Sequence, residues 1–185
     1  MAKKPLICEG IAFNNVTERD EIRTRGLREW EEGRVPEESI ALGKKYQKNI
    51  ELKEAPKVSI RFINERIGHG VFAEELLKTG RYIGEYTGIV RENSPTYFAP
   101  LNNYCYEYPV PDRNGKHFVI DATQGNFTRF INHSYQPNLK PLYAFVDGFY
   151  HLIFLSLCQI QKGKQLSYDY GTRYWAIRSP PEELI

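Results

Sequence analysis

The densest chemistry lies in one stretch, Gly125-Asn126-Phe127-Thr128-Arg129-Phe130-Ile131-Asn132-His133-Ser134. Arg129, Asn132 and His133 bring a guanidinium, a carboxamide and an imidazole close together, interleaved with Phe127, Phe130 and Ile131. A segment that buries its aromatic residues must also satisfy its polar ones, because an unpaired buried donor costs about 1–3 kcal/mol. These residue types leave two readings open. One is a buried turn whose polar groups tie down neighbouring loops; the other is a binding site. A metal centre at His133 is disfavoured, since no cysteine or histidine partner sits at ligand spacing. Cys8, Cys105 and Cys158 are scattered, odd in number and form no C-x-x-C pair, so neither a disulfide framework nor a zinc site is indicated. A reducing compartment fits that usage best.

Further blocks accompany this stretch. Upstream stand Ile67-Gly68-His69-Gly70-Val71-Phe72-Ala73 and Gly84-Glu85-Tyr86-Thr87-Gly88; downstream stands Leu166-Ser167-Tyr168-Asp169-Tyr170-Gly171, then Tyr174-Trp175. In this order they resemble the SET-domain family of protein lysine methyltransferases, from about Val58 to Trp175. The Arg129-to-Ser134 block and Tyr168-Asp169-Tyr170-Gly171 are the specific ones; the Gly-x-Gly turn alone would be weak evidence.

The resemblance implies a mainly β fold, with small curled sheets around a pseudoknot. In it, the segment carrying Asn132 and His133 packs through a loop formed by the later chain, an arrangement that general chain-topology rules would argue against. It also implies a cofactor, S-adenosyl-L-methionine, and a protein or peptide substrate with a target lysine, on a histone tail or another basic protein. Cofactor binding would fall to Ile67, Gly68, His69, Tyr104, Arg129, Asn132 and His133. Tyr170 matches the family's catalytic tyrosine. Tyr86 matches a tyrosine lining the lysine channel beside it, and Tyr168 matches the Phe/Tyr switch position that governs how many methyl groups are added. A tyrosine there favours mainly mono- or dimethylation. The alternative is a catalytically weak module that binds lysine-containing tails. Intact Tyr86 and Tyr170 argue against that alternative, and a phenylalanine at 170 would have favoured it.

The chain departs from the pattern coherently. Many family members carry a cysteine after the Asn-His-Ser triplet and a C-terminal cysteine cluster, which together bind zinc. Here Tyr135 follows Ser134, and no cysteine follows Cys158. No metal is therefore expected, and Tyr174 and Trp175 are the candidates to close the cofactor site instead. Compact viral and bacterial SET proteins also lack that module, and the chain looks more like them. Asp121-Ala122-Thr123-Gln124-Gly125 also lacks a tyrosine that some relatives have.

The elements that must position these residues are short strands. Val58–Ile63 alternates at period two, Gly68-His69-Gly70 is a turn, and Val71-Phe72-Ala73 begins the next strand. Arg81 to Val90 is a strand with Gly84 and Gly88 at points of close approach. Residues 91–103 are loop, Tyr104–Val110 and His117–Ala122 flank a turn at Asp112-Arg113-Asn114-Gly115, and Asp147-Gly148 joins Leu142–Val146 to Tyr150–Leu157 as a hairpin. Gln165–Tyr168 is the last strand.

Residues 1–56 form an α-helical N-terminal extension in which basic and acidic residues balance. Thr17 with Asp20 marks a helix start, Gly33 its end, and Pro36 begins a second helix that buries Ile40, Tyr46 and Ile50. Residues 57–175 then form the SET domain and 176–185 a tail. The charged helical faces are solvated surface, or alternatively a homodimer or substrate surface.

Over 185 residues, a net charge of +2 is too small to mark a nucleic-acid binder. No apolar run approaches the roughly 18 residues of a membrane span, and the first residues lack the apolar core of a signal peptide. A cytoplasmic or nuclear location is expected; a bacterial source would suggest delivery to a host nucleus.

Overall fold

Asp147 and Gly148 both have positive φ, 49° and 85°. That is the two-residue turn whose twist matches the strands it joins, and the register pairs Val146 with Phe149 across it. The computed structural model describes residues 10–93, 102–109, 117–176 and 178. The turn expected at Asp112–Gly115 and the tail from Pro180 lie outside them.

In chain order come β1 (Ile11–Phe13), α1 (Val16–Glu31), α2 (Glu37–Glu51), β2 (Val58–Asn64), β3 (Gly68–Ala73), β4 (Tyr82–Glu85), β5 (Gly88–Asn93) and β6 (Cys105–Tyr108). Next are β7 (His117–Asp121), two 3-10 turns (Ala122–Gln124 and Phe127–Phe130), β8 (Asn132–His133), β9 (Leu139–Val146), β10 (Phe149–Ser156), β11 (Ser167–Tyr168) and α3 (Thr172–Trp175). The strands form small sheets, ordered β1-β5-β7-β6, β4-β10-β9, β11-β8 and β2-β3. Fold class and sheet size agree with the expectation.

β8 and β11 pair in parallel, Asn132 with Ser167 and Tyr168 with His133. On its other side the chain leading into β11 bonds to β3, Ala73 N to Lys164 O and Leu166 N to Val71 O. Asn138 holds the same strand through Asn138 Nδ2 to Gln165 O and Ser167 N to Asn138 Oδ1. The late strand is thus clasped between early and middle segments of the chain. Buried polar backbone has nowhere else to pair there.

Four local expectations are corrected. The first helix is capped by Asn15, whose side chain accepts from the Glu18 amide; asparagine outranks threonine as a cap, and Thr17 lies inside the first turn. Gly68-His69-Gly70 is strand, paired with β2, and the turn falls at 65–67. The strand expected over 81–90 breaks at Tyr86-Thr87, where the chain leaves the β10 sheet for the β5 sheet, and β5 then continues through Asn93. β1, too short to carry a pattern, was not anticipated.

The helices are seated on the sheets. Tyr46 and Ile50 of α2 are buried with Tyr82, Ala144, Ile153 and Leu155, while Ile22 of α1 and Val35 join the main core. Ile40 is half-buried and Trp30 is 51% exposed. A Cβ at Gly43 would lie 1.9 Å from the Phe145 carbonyl oxygen, and one at Gly26 equally close to that of Gly148. Glycine permits that helix-to-backbone approach.

Candidate active site

Where β4 ends, Tyr86 turns into the core, 3% exposed. Its ring lies 5.8 Å from Tyr106 and 6.3 Å from Phe154. Tyr168 on β11 lies 5.0 Å from Phe154, 6.3 Å from Tyr106 and 4.7 Å from Tyr170. Strands from three sheets therefore deliver Tyr86, Tyr106, Phe154, Tyr168 and Tyr170 to one aromatic cluster. The Tyr86 hydroxyl donates to Tyr104 O at 2.9 Å, and the Tyr170 hydroxyl to Ile131 O at 2.8 Å. Each phenol has one proton to give, so each oxygen keeps lone pairs for a further donor. The Tyr168 hydroxyl has no hydrogen-bond partner among the described residues. Burial pushes the phenols of Tyr86, Tyr168 and Tyr170 well above the ordinary tyrosine value and that of Tyr106 up to about 12. All four are neutral at physiological pH.

A polar cradle adjoins the cluster. Asn132 Nδ2 donates to His69 O at 3.0 Å. A Cβ at Gly70 would meet Ile63 Cδ1 at 2.7 Å, Gln165 Nε2 at 2.9 Å and Asn132 Nδ2 at 3.1 Å, so the glycine lets these side chains close on the backbone. The Ile67 amide is taken by Asn64 Oδ1, and Gly68 has φ +78°. The exposed His69 ring stands 5.6 Å from Phe62 and 5.8 Å from Phe130. Arg129 donates to Thr123 O, and its guanidinium carbon lies 4.5 Å from the Phe130 ring centre and 5.3 Å from that of Tyr104.

His133 is 6% exposed and accepts from the Tyr170 amide at Nδ1, 3.1 Å away. Burial lowers its pKa, and Asp169 opposes that shift. α3 lies over this point. Trp175 stacks on Tyr170 at 6.0 Å and 8°, and meets His133 at 5.0 Å. Tyr174 contacts Tyr170 edge-on at 4.7 Å, with the Arg178 guanidinium 4.1 Å from its ring centre. Four buried donors here have no partner among the described residues: Arg129 Nε, His133 Nε2, Gln165 Nε2 and Trp175 Nε1.

A SET-domain family model matches residues 68–171, more than half of the chain. The chain belongs to the SET-domain family. It is 32% identical over 117 residues to mouse (Mus musculus) histone-lysine N-methyltransferase EHMT1, covering 60% of this chain and 9% of that protein. It is 35% identical over 122 residues to Caenorhabditis elegans histone-lysine N-methyltransferase set-2, covering 62% and 8%. The chain thus spans less than a tenth of the length of these relatives. A humanized mutant of the Chaetomium thermophilum Polycomb Repressive Complex 2, bound to the inhibitor GSK343, superposes with TM-score 0.54 at 24% identity, over 64% of this chain and 15% of that one. That likeness supports the fold.

Within this SET domain the structure places most of the residues singled out in the sequence near one another. Tyr86, Tyr168 and Tyr170 share the cluster; Gly68, Tyr104, Arg129, Asn132 and His133 surround or abut the cradle; Tyr174 and Trp175 lie against it. Ile67 and His69 stand at its outer edge, Ile67 with its amide already bonded. Sequence reasoning missed Tyr106, Phe154 and Gln165. Tyr106 and Phe154 sit on β6 and β10 in alternating apolar runs like any core residue, and Gln165 stands one residue before a matched block. Only tertiary pairing marks them.

Proposed function

We propose that this chain is an S-adenosylmethionine-dependent protein-lysine N-methyltransferase acting on histone tails or another basic protein, mainly to mono- or dimethyllysine. The observation that carries the reading is the junction itself. An aromatic cluster with two phenol oxygens bonded to backbone carbonyls adjoins a polar cradle holding four buried donors without a partner among the described residues. The relatives' names, histone-lysine N-methyltransferases, support the substrate class and a nuclear site of action.

The cradle fits the cofactor. S-adenosylmethionine carries a carboxylate, ribose hydroxyl oxygens and adenine ring nitrogens, each able to accept a hydrogen bond. Arg129 Nε, His133 Nε2, Gln165 Nε2 and Trp175 Nε1 are donors whose unpaired burial costs about 1–3 kcal/mol each. Asn132 and Gly70 would hold it from one side and the Trp175 indole from the other. When bound, the cofactor supplies an electrophilic methyl group on a sulfonium.

The chain's own residues have three tasks. Tyr86, Tyr106, Phe154 and Tyr168 line the stem of a lysine side chain and exclude water. The Tyr86 and Tyr170 oxygens, their protons committed to backbone carbonyls, accept from the lysine amine and orient it. The aromatic surroundings favour the neutral amine, since a buried ammonium loses hydration. Neutralising a lysine of pKa about 10.4 at neutral pH costs about 4.6 kcal/mol in water. The tyrosines are not the base, because burial keeps them protonated.

The test is transfer of a radiolabelled methyl group to purified histones and to lysate proteins, with Tyr170→Phe as control. Labelling by the wild type that falls about hundredfold in the variant, a barrier increase of about 2.7 kcal/mol, supports the reading. Cofactor binding without transfer to any protein overturns it.

A further inference from the structure

Asn126 stands at the head of the chemically densest stretch of the sequence, yet it has no task in the proposed reaction. Its carboxamide lies between two parts of the candidate site. On one side is Glu85-Tyr86-Thr87, which carries one of the two phenols. On the other is the 3-10 turn Phe127–Phe130, after which Ile131 O accepts from the Tyr170 hydroxyl. Asn126 Oδ1 caps that turn, accepting from Thr128 N at 3.0 Å. Nδ2 donates to Glu85 O at 3.0 Å, and the Asn126 backbone N–H donates to Thr87 Oγ1 at 2.9 Å. One residue therefore bonds on both sides of Tyr86 and at the start of the turn that leads to Ile131.

The partners fix which way the carboxamide points. A backbone N–H can only donate and a carbonyl oxygen only accept, so Oδ1 must face Thr128 and Nδ2 must face Glu85. Thr128 Oγ1 lies 2.7 Å from Asn126 Oδ1 and 3.2 Å from Glu85 O. A hydroxyl has one proton, and the shorter contact takes it, which leaves Glu85 O to Asn126. Among the described residues, every hydrogen bond between residues 85–87 and 126–131 uses a side chain of Asn126, Thr128 or Thr87. The segments also touch closely, since a Cβ at Gly84 would lie 3.2 Å from Thr128 Cγ2. Apolar contact is non-directional, so the register between them falls to these bonds.

We propose that Asn126 is a positioning residue for methyl transfer, setting the phenol of Tyr86 against that of Tyr170. The inference rests on the proposed activity, in which both phenol oxygens accept from the lysine amine. The Tyr170 hydroxyl is tied to Ile131 O at 2.8 Å, and Ile131 N to Thr128 O at 3.0 Å. A shift of the turn against Glu85 therefore shifts one phenol against the other. A misplacement of about 1 Å costs about a hundredfold in rate.

The test compares Asn126→Ser, Asn126→Asp and Thr128→Val in the full chain. Serine and aspartate both keep a capping oxygen, but serine is too short to reach Glu85 O and aspartate has no donor to offer it. Thr128→Val removes a buried hydroxyl from the same turn and keeps the bond from Asn126 to Glu85. Single-turnover transfer at saturating S-adenosylmethionine and histone is expected to fall at least about tenfold in both Asn126 variants. Their cofactor dissociation constants, and the transfer rate of Thr128→Val, are expected to stay within about twofold of the wild type. An equal fall in Thr128→Val, or a fall that comes from weakened cofactor binding, makes Asn126 an ordinary turn residue and overturns the inference. A second readout needs no methyl transfer. The ring carbon NMR signals of Tyr86 and Tyr170 should both move in the two Asn126 variants and stay in place in Thr128→Val. A wild type that transfers no methyl group sinks the proposed activity, and the NMR comparison then decides the positioning alone. Unmoved Tyr86 and Tyr170 signals in the Asn126 variants overturn it.

Discussion

The Tyr170 amide donates to His133 Nδ1 at 3.1 Å, so a side chain of one matched sequence block accepts directly from the backbone of another. The bond fixes the imidazole as the Nε2–H tautomer, because an accepting Nδ1 holds no proton. It also places the phenol of residue 170 and the cradle of residues 132–133 in one rigid unit with the parallel β8–β11 pair.

That relationship sets a pH dependence. Burial holds the folded His133 pKa below the ordinary imidazole value. The unfolded chain takes up a proton near pH 6.5 that the folded chain resists. The contribution to stability is therefore fully present above about pH 6.5 and is lost as pH falls through the lowered folded value. Urea midpoints measured from about pH 7.5 to 5.5 should fall more steeply for the wild type than for His133→Asn. The asparagine keeps an acceptor and removes the titration. Parallel slopes would exclude His133 as the responsible group.

The buried phenols set the alkaline limit. Tyr86, Tyr168 and Tyr170 all have folded pKa values raised by burial. Their contribution is fully present below the unfolded value near pH 10 and disappears as pH rises through the folded values. Ultraviolet titration should show the exposed tyrosines ionising first, and the buried set ionising only together with loss of tertiary circular dichroism. Reversible ionisation of all tyrosines near pH 10 in the folded state would contradict the placement.

The helical segment should prove inseparable from the SET domain. In an exposed helix interior, Gly→Ala gains about 1 kcal/mol. At Gly43 the added Cβ would lie 1.9 Å from Phe145 O on β9, and the helix must move off the sheet. Gly43→Ala should therefore destabilise by about 1–3 kcal/mol net, read as a lower urea midpoint. A stabilised variant would show that α2 is not seated on β9.

Legibility in the sequence followed how local each signal is. That Tyr86, Tyr168, Tyr170, Asn132 and His133 stand close together was readable because each sits in a block matched as a whole. The Asp147-Gly148 hairpin was readable because two positive φ values demand those residue types. The contacts of Tyr106 and Phe154 with Tyr168 were not, since a residue of this aromatic cluster and an ordinary core residue look alike along a strand. The break at Tyr86-Thr87 was hidden because both halves of 81–90 are apolar, and only the change of partner strand divides them. The clasp around β11 depends on side-chain bonds from Asn138, over more than twenty-five residues of sequence. No periodicity records such a bond.

Trp175 is expected to close the cofactor cradle without metal. It stacks on Tyr170 and contacts His133, and its indole N–H is buried without a partner among the described residues. Base-to-aromatic stacking is worth about 1–3 kcal/mol. Trp175→Ala should thus weaken S-adenosylmethionine binding at least about tenfold in calorimetry, with far-ultraviolet circular dichroism unchanged, and a chelator should leave wild-type binding intact. An unchanged dissociation constant in the variant would remove Trp175 from the site.

The number of methyl groups added should turn on the Tyr168 hydroxyl. Its ring is fixed on three sides by Phe154, Tyr106 and Tyr170, so the oxygen cannot swing away. Among the described residues nothing bonds it, and it is free to hold a water or the lysine amine. A second transfer requires the methylated amine to rotate, with its first methyl taking that water's place. A bound water resists the exchange, and a difference of about 1.4 kcal/mol gives tenfold selectivity at each step. Removing the hydroxyl vacates the space while the surrounding rings keep the wall in place. Mass spectrometry of a methylated histone peptide should show mainly monomethyllysine with some dimethyllysine from the wild type, and a shift toward di- and trimethyllysine from Tyr168→Phe. Because the Tyr168 hydroxyl has no hydrogen-bond partner among the described residues, the substitution should leave the urea midpoint almost unchanged, which separates an altered product from a damaged fold. Abundant trimethyllysine from the wild type in a single encounter would place the hydroxyl outside the path of the rotating amine.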